Sequence, residues 1–124
     1  MNPSILRILI ADDNPAIRSA LALLLETRLN VIIVGVTDQM ELLLTDVARL
    51  QPDIVILDWE LPGLPEKSRI AALRMLQPTL KVVVTSSRPE VSQQALTPQA
   101  DSYVSKTQPP EQVVQAIQSI NLSV

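Results

Sequence analysis

"IVILDWELPG", residues 54 to 63, is a run of branched apolar residues that ends on a carboxylate. The residues from Ile54 to Leu57 are all apolar, which suits a strand covered on both faces rather than one with a wet side. Pro62 and Gly63 then announce a turn. An apolar strand seldom ends on an acid that has no task, so Asp58 raises the question of its purpose. The plain alternative is that Asp58 only opens a turn, as many aspartates do. The rest of the chain decides between the two.

The same kind of run recurs on both sides of this stretch. "ILRILIA" (5–11), "NVIIVGV" (30–36), "PDIVILD" (52–58), "LKVVVTSS" (80–87) and "SYVSK" (102–106) predict strands. Between and after them, "NPAIRSALALLLETRL" (14–29), "DQMELLLTDVARL" (38–50), "EKSRIAALRML" (66–76), "EVSQQALT" (90–97) and "PPEQVVQAIQSI" (109–120) predict helices. Asn14 is placed to cap the first helix, with Pro15 at its first helical position. Ile17, Leu21, Leu24 and Leu25 form its apolar face, and Leu42, Leu43, Val47 and Leu50 that of the second. Met40 and Met75 fall at helical spacings and are expected to fill the core. Strict strand–helix alternation implies a parallel sheet with right-handed crossovers and helices on both faces.

Composition narrows the chemistry. At 124 residues, a single domain over 1–124 is expected. Apolar residues make up 47% and charged residues 19%, which argues against disorder. No apolar run reaches a membrane span, and "MNPSILRILI" does not read as a secretory signal, so a cytoplasmic location is expected. The chain has no cysteine and no histidine, which excludes disulfides, thiolate chemistry and histidine-based acid–base catalysis. The net charge of −3 and the scattered basic residues disfavour direct nucleic-acid binding. Two glycines are too few for a phosphate-binding loop.

In open parallel sheets, sites form beyond the carboxyl ends of the strands. Strand one ends in Asp12 and Asp13, strand three in Asp58 with Glu60 shortly after, strand four in Thr85, Ser86 and Ser87, and strand five in Lys106. Taken singly, each has a bland explanation: a helix cap, a turn residue, a solvated charge. Together they place carboxylates, a hydroxyl and an ammonium on one rim. Clustered carboxylates repel one another, and a hard divalent cation with oxygen ligands relieves that repulsion. A carboxylate can also attack phosphorus to give an acyl phosphate, with a metal and an ammonium neutralising the phosphoryl oxygens. Glu60's own side chain is expected to be a solvated loop acid.

These residues resemble the receiver domain of bacterial two-component response regulators, and the resemblance spans the whole chain. It rests on "RILIADDNP" as the acidic pair, "PDIVILDWELPG" as the phosphoacceptor segment, "KVVVTSS" as the hydroxyl-bearing strand, and "ADSYVSK" as an aromatic residue three before a lysine. "DDNPAIRSALALLLE" is most similar to the branch with a C-terminal helix-turn-helix output domain. The resemblance implies a flavodoxin-like, doubly wound, five-stranded parallel sheet of order 2-1-3-4-5 with five helices. It implies Asp58 as phosphoacceptor. It also implies a Mg2+ site, open to Mn2+, from Asp12, Asp13, Asp58 and the backbone carbonyl of Glu60. Lys106 would contact the phosphoryl group, Tyr103 would be the switch aromatic, and Ser86, or else Thr85, the switch hydroxyl. The implied function is acceptance of a phosphoryl group from a histidine kinase or phosphotransfer protein. The output face would be formed by 90–97, 102–106 and 109–120, and would act on an output domain, a partner protein or a second copy. Any catalysis would be self-directed, limited to transfer onto Asp58 and hydrolysis from it. The chain departs from the family pattern at "LTPQADSYVSK", where Gln99 and Ser102 stand in for glycines, and at "LPEKS" after the turn.

Two other readings compete. A module of the same fold could act through protein contacts without phosphorylation, but such domains usually lose one of the acidic groups, and none is lost here. A phosphatase of the haloacid dehalogenase type uses a second Asp two residues after its nucleophile, where this chain has Glu60.

Overall fold

The computed structural model describes residues 5–88, 91 and 99–120. Its elements, in chain order, are β1 (Leu6–Ala11), α1 (Pro15–Arg28), β2 (Val31–Thr37), α2 (Met40–Leu50), β3 (Ile54–Asp58), α3 (Glu66–Leu76), β4 (Lys81–Ser86), β5 (Ser102–Ser105) and α4 (Glu111–Ile120). Every expected strand is present, with ends moved by one or two residues. Four helices lie among the described residues. The helix expected over 90–97 falls, apart from Val91, outside them.

All strand pairings are parallel, and the sheet order is β2-β1-β3-β4-β5, the expected flavodoxin-like arrangement. Side chains alternate across a strand, so a strand buried on both faces supplies two cores. Leu9, Ala11, Val55, Leu57, Val82 and Val84 pack with Met40, Leu43 and Val47 of α2 and Ile70 and Leu73 of α3. Ile8, Ile10, Ile54, Ile56, Val83 and Val104 pack on the other side with Leu21 and Leu25 of α1 and Val113, Val114 and Ile117 of α4. This is why the central strands read as unbroken apolar runs.

Local signals act as their chemistry requires. Asn14 Oδ1 accepts from the backbone N–H groups of Ala16 at 2.9 Å and Ile17 at 3.3 Å, satisfying two donors that the first turn of α1 leaves unpaired. Two expectations fail. Met75 is 85% exposed, and Leu42 is 47% exposed. Each helix has one sheet to cover, and in α2 that stripe is Met40, Leu43 and Val47, while in α3 it is Ile70 and Leu73 together with Arg69. A residue on the far side of such a helix finds no layer to enter.

Gly63 closes the loop after β3 with φ +120, a conformation open to glycine and strained for other residues. A Cβ there would lie 2.8 Å from Met40 Cβ and 2.8 Å from Glu41 Oε1, at the start of α2. The Gly63→Ala variant should therefore lose about 1–3 kcal/mol of stability from the backbone alone. The check is a urea titration, with a lower midpoint and an unchanged slope as the expected result.

Candidate functional site

The strand register places the acids side by side. Ala11 pairs with Leu57, so Asp12 and Asp58 follow as neighbours across β1 and β3, and Asp58 itself pairs with Thr85 of β4. Ser86 pairs with Ser105, and the Lys106 N–H donates to the Ser86 carbonyl at 2.9 Å, bringing Lys106 to the same rim. Asp12 and Asp58 are each only 1% exposed, whereas Asp13 is exposed. One carboxylate oxygen from each of the three lies within 4.8 Å of the others. Such a donor set, all oxygen and partly open to water, fits a hard divalent cation that keeps some of its waters.

Lys106 bridges the two buried acids, with Nζ 2.8 Å from Asp12 Oδ2 and 3.2 Å from Asp58 Oδ1. The two oxygens of Asp58 are inequivalent. Oδ1 also accepts from the Glu60 N–H at 3.0 Å, while Oδ2 is buried with no hydrogen-bond donor among the described residues. Burial pushes the Asp58 carboxyl above its ordinary pKa, and the neighbouring Asp12 carboxylate adds to this. The Glu60 N–H and Lys106 offset it only in part. For Lys106, burial opposes the charge, but the hydrogen bond and the charges of Asp12 and Asp58 outweigh it and raise its pKa.

The side chain of Glu60 is not the solvated loop acid expected. Its carboxylate accepts from Ser86 Oγ at 2.6 Å, from the Ser87 N–H at 3.1 Å and from Arg88 Nε at 3.1 Å. Burial works against its ionisation, yet these donors together hold its pKa below the ordinary value. Arg88 continues the network to Glu66 Oε2 at 2.8 Å, and Glu66 Oε1 accepts from Trp59 Nε1 at 3.1 Å. The end of β4 is thus tied to the loop after β3. Ser86 is fully buried on this side, whereas Thr85 lines a groove with Ile17, Leu21, Val104 and Pro109 between α1 and α4. Tyr103 is partly buried against the core cluster that holds Trp59 and Val91.

Three residues of this rim escaped the reading of the sequence. Arg18 donates to the Asp12 carbonyl at 2.6 Å. Arg88 had no signal beyond its place in a loop. Arg69 did have one: it lies four residues before Leu73, on the stripe of α3 that faces the core, where an unpaired cation is unusual.

Comparison with known proteins bears on the same surface. A family model described as the response regulator receiver domain matches residues 8–118. The transcriptional activator protein ExaE of Pseudomonas putida is 34% identical over 115 residues, 91% of this chain and 54% of that protein. The fimbriae Z protein of Escherichia coli K12 is 30% identical over 116 residues, 91% of this chain and 55% of that protein. The chain therefore spans about half the length of these curated relatives. A DNA-binding response regulator of the LuxR family from Staphylococcus aureus superposes with a TM-score of 0.82 at 26% identity, covering 94% of this chain and 98% of the other. It belongs to the DNA-binding branch that the first helix suggested. Receiver domains of this kind generally bind Mg2+ through an acidic cluster and are phosphorylated on aspartate, and no described helix is long and apolar enough to cross a membrane. With the acidic pair, the strand-three aspartate and the strand-five lysine converging on one rim of a 2-1-3-4-5 sheet, this chain belongs to the response regulator receiver domain family of two-component signalling.

Proposed function

We propose that the chain is a phosphorylation-controlled switch in which Asp58 accepts a phosphoryl group from a histidine kinase or phosphotransfer protein. The observation that carries this reading is the state of Asp58: buried, raised in pKa, held at Oδ1 by Lys106 and the Glu60 N–H, and with no donor at Oδ2 among the described residues. An oxygen so placed keeps its lone pairs for a new bond. In the transfer, a bond forms between a carboxylate oxygen and phosphorus as the donor's phosphorus–nitrogen bond breaks, and the leaving imidazole takes up a proton. Lys106, already between Asp12 and Asp58, would follow the charge onto the phosphoryl oxygens. Asp12, Asp13, Asp58 and the Glu60 carbonyl would hold Mg2+ or Mn2+, which supplies further neutralisation of those oxygens.

Ser86 would give the signal its direction. Its hydroxyl now donates to Glu60, so it must leave that carboxylate to reach a phosphoryl group on Asp58. That exchange would loosen the tie between β4 and the β3 loop and shift the population of the neighbouring face: segment 90–97, β5 with Tyr103, and α4. An output domain, a partner protein or a second copy would read the change.

The test is intact-mass measurement after incubation with acetyl phosphate and Mg2+. A gain of one phosphoryl group that EDTA prevents is expected. A folded protein that gains none would leave the reading without its central step and favour a module acting through contacts alone. Trp59 offers a parallel measurement, since it is the chain's one tryptophan and directly follows Asp58. It is buried, and it bonds through Glu66 to the network around Glu60. Its emission should respond to Mg2+ as a single saturable site at millimolar levels. A flat emission titration alongside normal phosphorylation would show that this network does not sense the rim.

A further inference from the structure

Arg69 lies on α3, only 5% exposed, with no carboxylate within ion-pair distance among the described residues. A buried guanidinium is costly unless it finds acceptors, and here a backbone carbonyl accepts from each of its three nitrogens. Nε donates to the Leu64 carbonyl at 2.8 Å, Nη1 to that of Trp59 at 2.5 Å and Nη2 to that of Leu61 at 2.6 Å. All three belong to the loop that follows Asp58. The guanidinium also stands 5.6 Å from the centre of the Trp59 ring, within range of a cation–π attraction.

Nothing in a parallel sheet requires this. An apolar side chain at that position of α3 would join Ile70 and Leu73 in the core. The planar fork does what an apolar residue cannot: it fixes three carbonyls at once in a set geometry. Two of them, at Trp59 and Leu61, flank Glu60 on either side, so the peptide that carries the Glu60 carbonyl runs between two anchored points. The Glu60 N–H, which donates to Asp58 Oδ1, belongs to the same short segment.

We infer that Arg69 is a positioning residue: it holds the 59–64 loop so that the Glu60 carbonyl and the Asp58 carboxylate are set for a cation before one arrives. The metal half of this inference rests on the function proposed above; the loop-holding half does not. Holding the ligands in advance removes the ordering entropy that binding would otherwise have to supply. A lysine cannot substitute, because one ammonium cannot serve three fixed carbonyls in the plane of a fork.

The experiment uses 15N-labelled wild type, Arg69→Met and Arg69→Lys, with amide exchange measured without Mg2+ and amide shifts followed through a Mg2+ titration. In Arg69→Met, exchange at Glu60 and Leu61 should quicken by about tenfold while amides of β1, β3 and α1 stay protected. Its Mg2+ affinity should fall by about tenfold, the lower end of what residues supporting a ligand usually contribute. Arg69→Lys should resemble Arg69→Met rather than wild type. Unchanged exchange at Glu60 and Leu61 would overturn the inference whatever Mg2+ does. Faster loop exchange with an unchanged Mg2+ affinity would overturn the positioning role and leave only a structural clamp. If wild type bound no Mg2+ while Arg69→Met still loosened the loop, the metal reading would fall and the clamp would stand. If Arg69→Met did not fold, Arg69→Lys, which keeps the charge, would supply the same two readouts.

Discussion

Asp58→Asn should take up no phosphoryl group from acetyl phosphate under conditions that modify wild type, and without Mg2+ it should melt at a higher temperature. The first effect follows from the loss of the nucleophile, since an amide at the same place keeps the shape but cannot form the acyl phosphate. The second follows from the electrostatics of the rim. Burial and the Asp12 carboxylate raise the Asp58 pKa in the folded state above its ordinary value of 3.8. The folded protein thus binds that proton more tightly than the unfolded chain, and stability falls as pH rises from 3.8 through the folded pKa. Above the folded pKa the whole penalty is present, and the asparagine removes it. Each kcal/mol recovered corresponds to roughly 4 °C in Tm for a chain of this size. The gap between variant and wild type should narrow as the pH is lowered through the folded pKa towards 3.8, as folded wild-type Asp58 takes up its proton. Intact mass and thermal melts across that range are the two measurements. A phosphoryl gain in Asp58→Asn equal to wild type would assign the chemistry to another residue, and a variant that melts below wild type at pH 7 would show that Lys106 contributes more than burial removes.

The second large effect belongs to Asp13. Its carboxylate is exposed and shares the cluster with Asp12 and Asp58, so it carries little of the fold and would form much of the open side of the proposed cation site. Asp13→Ala should fold normally and lose Mg2+ affinity by about 100-fold or more, beyond what removal of a group merely supporting a ligand brings. Phosphorylation should fall with it. Lys106→Ala is the contrasting variant. It removes an ammonium that competes with the cation for Asp12 and Asp58, so Mg2+ binding should persist or tighten. The later response should weaken, because Lys106 links those carboxylates to β5. Calorimetric Mg2+ titration distinguishes the two. An unchanged titration in Asp13→Ala would remove Asp13 from the ligand set.

Much of the rim was legible because it depends on where strands end, and strands were marked by composition. The runs at 54–57 and 82–84 had to be buried on both faces, which required helices on both sides and a parallel sheet. In such a sheet the strand ends share one edge, so Asp12, Asp58, Ser86 and Lys106 were bound to meet near it, whatever their side-chain angles. Asn14 was equally readable, because a cap acts within its own turn.

The residues that were misread or missed all turn on contacts that only the folded chain sets. Glu60 looked like a solvated acid because Ser86 and Arg88, which hold it, are 26 and 28 residues away and meet it only when β3 and β4 align. Met75 and Leu42 have the spacing of core residues, but spacing cannot say which of two adjacent helical stripes meets the sheet. Arg69 breaks the apolar stripe of α3, and only the folded loop shows three carbonyls waiting for its fork. The physical division lies there. Burial patterns and caps follow from the backbone's local periodicity and can be read in order along the chain, so the sheet, its direction and the acidic rim were determined by sequence alone. The assignment of one polar group to another is a question of angstroms between distant segments, and that was decided only when β3, α3 and β4 closed on one another.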